Sequence, residues 1–557
     1  MQNRLAGSLF VSCAFLLALV ALFLGRASDD NSLFSWAWAF RNGASLVYLA
    51  LVAGLCISFF SARIALPANW YAPFLFTLSF VAVLPFWSEP ELIVDASRYF
   101  TQAKHLEVYG LGFFLREWGR TIQAWTDSPL VPLLYGLLFK AFGEHRFVIQ
   151  LFTTTLFSLT AVITYLIGKT LWNRETGFSA GLLLLGIPYL LTQVPLMLVD
   201  VPTMFFLTLA VFMFLDAAGR GGRVRMTAAV AAIVLAALSK YSAWLMLSVL
   251  VVALAVFAVG GATLRDFRPA RRGIVILLAA AALACLVLLF KSDIVIGQLA
   301  LLRAYQKPGL DRWTESFRST FLYQVHPFIT LSALASVVVA ARKRDIRFAV
   351  VCWLVLLVLA LGIRRIRYIL PLFPMLTLMA GYGLQLIRRE ELKRFIVFGT
   401  AAASLSVGYF AYLPLAGSMS VTNLKHAGGF LNALDVPEVE VITLASQDPV
   451  ANPAVAVPLL DLFTDKHIVY HYVPDSFPAR EEVERSSLRF TWEYRNPAYY
   501  SDERCALGTA PIVIISGDSN GPLPKTVSQR IEGRRLAEEF IVDENIFQYT
   551  VGVRIYH

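Results

Sequence analysis

Three arginines, Arg364, Arg365 and Arg367, fall within four positions of "LGIRRIRYILPLFP" (361–374), followed by Tyr368 and the spaced prolines Pro371 and Pro374. Guanidinium groups at this density suit a phosphate, which they bind through paired N–H donors. A lone lysine, Lys240, interrupts a long apolar stretch at "AALSKYS". Carboxylates come from two other places. Asp95 stands in "VDASRY" with Arg98 and Tyr99, and Asp127 lies further along the same polar stretch. Asp200 precedes Pro202 in "LVDVPTMFF". Carboxylates serve as general bases, hydroxyl-positioning groups or metal ligands. A phosphate leaving group needs preorganised cations, and an attacking hydroxyl needs a base, so the two charge sets match two halves of one reaction.

Composition says what must position these groups. Of the 557 residues, 57% are apolar and 15% charged, far from the balance of a soluble domain and typical of a polytopic membrane protein. Thirteen apolar runs can each cross a hydrocarbon core of about 30 Å. They lie near 5–24, 44–61, 70–87, 147–168, 178–193, 202–217, 226–239, 241–260, 273–290, 322–340, 347–363, 368–387 and 394–414. With the N-terminus inside, the basic connections "GKTLWNRETG", "GRGGRVR", "RDFRPARR", "ARKRDIR" and "RREELKR" all face the cytoplasm. The net charge of +10 is thereby absorbed by topology, and no nucleic-acid partner is expected. Arg364, Arg365, Arg367 and Lys240 break the rule and fall outside, where they call for an anionic partner. Snorkelling to lipid phosphates is the bland alternative for any one of them.

Also outside lies the loop 88–146, with Glu89, Glu91, Asp95 and Asp127; its segment "PLVPLLYGLLFKAFG" (129–143) reads as a helix in the membrane interface. Asp200 taken alone reads as a helix N-cap. His326 before Pro327 reads as structural. Cys13, Cys56, Cys285 and Cys352 sit in apolar runs and Cys505 in a polar one, which supports neither a disulfide framework nor a cysteine metal site. No phosphate loop, zinc signature or Ser-His-Asp order is present.

In order along the chain, these residues resemble the GT-C glycosyltransferases, in the branch of lipid A aminoarabinose transferases and protein O-mannosyltransferases (family 39-like). The carrying residues are Asp95, Arg98 and Tyr99 of "DASRY", the "DSPLVPLLYGLLFKAFG" segment, Asp200, Lys240, and Arg364, Arg367, Tyr368, Pro371 and Pro374. Ala96 stands where that branch has a glutamate, and Glu89 or Glu91 are the acids left to replace it. The resemblance covers roughly 70–415. It implies an inverting transfer of a sugar from a polyprenyl-phosphate donor to an extracytoplasmic lipid, glycan or protein. Asp95 would be the base, with Asp200 assisting. Lys240, Arg364, Arg365, Arg367, Tyr368 and Arg98 would hold the donor phosphate, and Tyr99 and Asp127 would position the loop or acceptor. Whether a divalent metal ion takes part is left open, with Asp95 and Asp200 as its ligands if one does.

The expected organisation is two N-terminal helices (1–65), a GT-C-like core (66–415) and an extracytoplasmic α/β domain (416–557). In that tail, 439–446, 467–473, 510–516 and an edge strand at the C-terminus read as strands, and 423–434 and 478–490 as helices. The aromatic stretch "FTWEYRNPAYY" (490–500) suits either sugar stacking or a small core. The expected setting is the inner membrane of a bacterium, in contact with its lipids, with the site facing the periplasm. The competing readings are a lipid-linked glycan polymerase or ligase, a lipid or sugar transporter or flippase, and a non-catalytic subunit.

Overall fold

The computed structural model describes residues 2–27, 44–64, 66–91, 93–124, 127–264, 266–306, 315–444, 451–471, 480–486, 488–501, 510–517, 523–542 and 550–557. Helix runs along all thirteen apolar stretches. Seven helical segments are long and apolar enough to cross a membrane: Ala68–Ser88, Arg146–Leu171, Asp200–Arg220, Ser242–Gly261, Arg268–Phe290, Ile366–Leu386 and Glu390–Ser418. The chain is thus a polytopic helical membrane protein. Cys505, the end of the strand read over 467–473 (472–473) and the start of the helix read over 478–490 (478–479) lie outside the described residues.

The Ile366–Leu386 segment sits at the centre, packed by Pro327–Lys343, Arg174–Leu183 and Phe348–Ala360. Small residues allow such contacts, because without a side chain two backbones can approach closely. A Cβ on Gly168 would lie 2.5 Å from the Cα of Gly177 on the neighbouring helix, so neither position accepts a larger residue without separating the pair. The two N-terminal helices, Gln2–Ala27 and Ala44–Ser61, pack on Glu390–Ser418 through Phe15, Leu55, Phe395 and Val407. His326 caps the Pro327–Lys343 helix by accepting from the Phe328 N–H at 3.2 Å, and its ring rests against Phe15 and Phe328. That is the structural role expected of it.

The loop after Ala68–Ser88 forms two helices, Ile93–Glu117 (the loop helix) and Leu130–Phe142. Gly110, at φ 82, kinks the first of them. Buried Glu91 pins the start of the loop: it accepts from Arg146 Nε at 2.9 Å and from the Met197 N–H at 2.9 Å.

The tail builds a five-stranded sheet in the order β2-β1-β3-β5-β4. Its strands are β1 (Glu438–Leu444), β2 (His467–His471), β3 (Ile512–Ser516), β4 (Leu536–Phe540) and β5 (Gly552–Tyr556). β1 runs parallel to β2 and β3, and β5 antiparallel to β3 and β4. Two sequence expectations need correction. The final strand is interior rather than an edge, because β4 pairs with its outer side. Among the described residues of the helix expected over 478–490, Arg480–Arg485 forms an α-helix that ends there, followed by a short 3-10 turn at Arg489–Glu493.

This module is not a detached appendage. One apolar cluster joins Val439, Val441, Leu460, Val513 and Val553 of the tail to Ala96, Tyr99 and Phe100 of the loop helix and Val131, Tyr135 and Phe139 of its neighbour. Each large side chain buried there contributes roughly 1.5–3 kcal/mol. A polar clasp adds to it: Lys104 Nζ donates to Glu144 at 2.9 Å and to Asp461 at 2.6 Å, and the Tyr500 hydroxyl donates to Asp461 at 2.6 Å.

Two carboxylates share one ammonium in that clasp. Burial first, and then the charge of Asp461, push the Glu144 carboxyl up to about 7 despite Lys104. A raised acid pKa means the folded state holds that proton more tightly than the unfolded chain does. The resulting stability is present below the unfolded value and lost as pH rises through about 7. Glu144→Gln should therefore match the wild type in Tm at about pH 5 and exceed it at about pH 8. A Tm difference that stays constant over that interval would remove Glu144 as a titrating group of the clasp.

Candidate active site

The predicted charges meet where the loop helix reaches the beginnings of the Asp200–Arg220 and Ile366–Leu386 segments. Asp200 has no exposed surface, and both its oxygens are engaged. Lys240 Nζ donates to Oδ1 at 2.6 Å and Arg367 Nε to Oδ2 at 3.0 Å. Val199, not Asp200, occupies the N-cap position, and Asp200 points from the first turn into the cluster, so the capping role is set aside. Lys240 reaches it because the chain is extended there (φ −161°, ψ 141°), between the end of Arg223–Ser239 and the start of Ser242–Met246.

Arg367 also donates from Nη1 to Asp95 Oδ2 at 2.5 Å. Asp95 in turn lies 3.4 Å from Arg98, its i+3 neighbour on the loop helix. Arg98 grips Asp127 with Nε at 2.8 Å and Nη2 at 2.9 Å, and donates to the Tyr99 hydroxyl at 3.2 Å. The result is an alternating chain: Lys240, Asp200, Arg367, Asp95, Arg98, Asp127. Three cations and three carboxylates come from regions far apart in sequence. Alternation is what makes the burial tolerable, since an uncompensated charge in such a place costs several kcal/mol.

Exposure separates the carboxylates. The Asp95 side chain is 26% exposed, that of Asp127 5% and that of Asp200 none. Of the three, Asp95 is the one with appreciable exposed surface. Burial alone would raise its carboxyl, but Arg367 and then Arg98 outweigh it and hold the group well below the usual carboxylate range.

The remaining candidates sit around this chain. Arg365 donates to the Tyr368 hydroxyl at 3.3 Å and lies 4.0 Å from Glu315, while Lys240 lies 5.9 Å from the Tyr368 ring centre. Arg364 does not join them: its side chain is exposed and makes no ion pair among the described residues, and only its carbonyl is engaged, by Thr320. Two participants escaped the sequence reading. Glu315 is buried and accepts from the Ile366 N–H at 2.8 Å, holding the arginine knot in place. Gln102 donates to Asp127 at 3.2 Å and to the Gln123 carbonyl at 2.9 Å. Their only sequence signal was position in external segments, which many other polar residues share.

The absent acid at Ala96 has a structural account. Position 96 is fully buried in the apolar cluster with the tail, where a carboxylate would have no partner. Glu91 does not replace it, being held by Arg146 and Met197. A divalent ion fits poorly as well. Asp95 and Asp200 are joined through a guanidinium rather than facing a common space, and no group of three potential ligands occurs among the described residues.

Residues 126–290 match the family model described as dolichyl-phosphate-mannose-protein mannosyltransferase. That segment takes in Asp127, Asp200 and Lys240. No curated protein sequence matches the chain. Among solved structures, the chain is similar to apo ArnT from Cupriavidus metallidurans, at 14% identity and a TM-score of 0.51, covering 88% of this chain and 98% of that one. The same protein bound to undecaprenyl phosphate gives 13% identity, the same TM-score of 0.51 and the same coverage, 88% and 98%. The chain resembles GT-C membrane glycosyltransferases, and the matched segment and the shared fold together indicate an enzyme of that type.

The alternation of charge can be tested directly. Lys240→Met should lower stability by about 3 kcal/mol or more, because Asp200 loses one of two counter-charges. Adding Asp200→Asn should recover part of that loss, read from thermal unfolding of the detergent-solubilised protein. Strictly additive losses would show that the pair is not coupled.

Proposed function

We propose that the chain transfers a sugar from a polyprenyl-phosphate donor, with inversion, to an acceptor outside the cytoplasm. The observation that carries this reading is the meeting of Lys240 and Arg367 with a partly exposed Asp95 at one site. The ArnT structure holding undecaprenyl phosphate supports the donor class. The acceptor oxygen would attack the anomeric carbon while the bond from that carbon to the phosphate oxygen breaks. Polyprenyl phosphate would leave with its developing charge met by Lys240 and Arg367, with Arg365, Tyr368 and Arg98 close by and Arg364 at the exposed rim.

The hydroxyl proton would pass to Asp95. Clamped by Arg367, that carboxylate is a weak base. A donor phosphate competing for the Arg367 guanidinium would relieve the clamp and raise its basicity when the donor is in place. Asp200, which is wholly buried, would hold Lys240 and Arg367 in register, and Asp127 and Tyr99 would hold Arg98. In this reading all thirteen helical runs cross the inner membrane of a bacterium, and the loop 88–146 and the tail face the periplasm.

The test is a panel of polyprenyl-phosphate sugars offered to the purified protein, with the released polyprenyl phosphate detected by mass. Asp95→Asn should lower release by about a hundredfold or more, measured at a temperature where the variant, made less stable because Arg367 loses one of its two carboxylates, is still folded. Arg367→Lys should impair donor binding, while Arg364→Ala should have a small effect. Release at near wild-type rate by the Asp95→Asn protein would remove Asp95 as the base.

A further inference from the structure

Beside the charge chain, on the other side of Arg98, a cavity of about 710 Å³ opens between the loop helix, the 118–124 segment and residues 490–498 of the tail module. Its volume is in the range of small-molecule sites, roughly 300–1,000 Å³. Two hydrogen bonds hold the walls together: Gln123 Nε2 donates to the Glu493 carbonyl at 2.9 Å, and the Tyr499 hydroxyl to the Thr101 carbonyl at 3.4 Å.

The lining has a definite chemistry. Arg98, Arg120 and Arg495 contribute three cations, and the described lining residues include no carboxylate. Phe113, Phe490 and Tyr494 present aromatic rings, whose negative faces suit the weakly positive C–H groups of a sugar ring. Gln102, Gln123 and Asn496 bring amides, which both donate to and accept from hydroxyls. Ser97 and Gln102 add a more pointed observation. Both residues are about 98–99% buried (1% and 2% exposed), both line the cavity, and the Ser97 hydroxyl and Gln102 Oε1 have no hydrogen-bond partner among the described residues. Buried polar atoms are nearly always paired, by water or by a ligand, so these two mark a polar stretch of the cavity wall.

We infer that this cavity is the acceptor site and that it binds a saccharide carrying negative charge. The word acceptor rests on the glycosyltransferase reading above; the binding of a charged saccharide does not. Arg98 belongs to both the cavity and the charge chain, so a ligand seated here lies next to the Asp95 end of the site. The tail module supplies Phe490, Tyr494, Arg495 and Asn496, and with them the discrimination among acceptors. A neutral peptide would offer no counter-charge to Arg120 and Arg495, which make no ion pair among the described residues; Arg98 already has Asp127 and Asp95.

The experiment uses the full chain in detergent, without donor, and measures binding of digalacturonic acid, uncharged digalactose and an uncharged serine-containing peptide. Digalacturonic acid should bind about tenfold or more tightly than digalactose, the size of one charge-assisted hydrogen bond. Arg120→Gln combined with Arg495→Gln should abolish that preference while sparing digalactose binding; both side chains are exposed, so the fold tolerates the change. Tyr494→Ala should weaken both sugars. Undecaprenyl phosphate binding should be unchanged in all these variants. Equal affinity for the two sugars, binding of the peptide alone, or a preference that survives the double arginine variant would overturn the inference. Saccharide binding without polyprenyl phosphate release would leave the cavity assignment standing and sink the transfer reading. Release without saccharide binding would do the reverse.

Discussion

One guanidinium organises the centre of this protein. Arg367 bridges Asp95 and Asp200, which come from the loop helix and from the start of a membrane helix, and Asp200 in turn holds Lys240. None of these groups could be buried alone at tolerable cost. The loop helix must therefore dock where it does for the charges beneath it to be paired. The same pairing clamps the most exposed carboxylate of the chain of charges, the one proposed above as the base, so the interaction that stabilises the cluster also restrains that group. Relief by a phosphate would tie base strength to donor occupancy without any larger movement.

The loop helix has a second face with a second task. Asp95 and Arg98 look toward the charge chain, while Ala96, Tyr99 and Phe100 enter the apolar cluster shared with the tail sheet. The tail thus bears on the placement of Asp95 through ordinary packing. This also explains the alanine at 96: the position belongs to the apolar side of the helix, and an acid there would sit unpaired in the core. The aromatic stretch 490–500 divides in the same manner. Tyr500 is core, hydrogen-bonded to Asp461, whereas Phe490 and Tyr494 face the cavity.

Much of the fold was legible in the chain. Helix follows each apolar run, the break at Lys240 falls where a single helix would have been too long, β2, β3 and β5 lie within stretches read as strands, and β1 overlaps one, starting a residue earlier. β4 was missed because "LAEEF" is almost wholly exposed and carries no burial alternation; it is a strand only because β5 lies beside it. That same pairing moved β5 from the edge to the interior. Of the site, the residue types were legible but not their partners. Lys240 and the arginines were read as cations awaiting a phosphate, while the folded chain gives Lys240, Arg98 and Arg367 carboxylates, brings in Glu315 unannounced and leaves Arg364 outside.

The division follows from the range of the forces. Whether a segment is a membrane helix depends on its own hydrophobic length and on nearby charges, so the sequence by itself determined the helices, the unusual cations between them and the ordered motifs of the resemblance. Which charge pairs with which depends on docking between segments as distant as Asp95 and Arg367, 272 positions apart. No local pattern encodes that distance. Only the tertiary structure could decide that Asp200 binds Lys240 rather than capping its helix, that Ala96 faces a core, and that the tail closes a cavity beside Arg98.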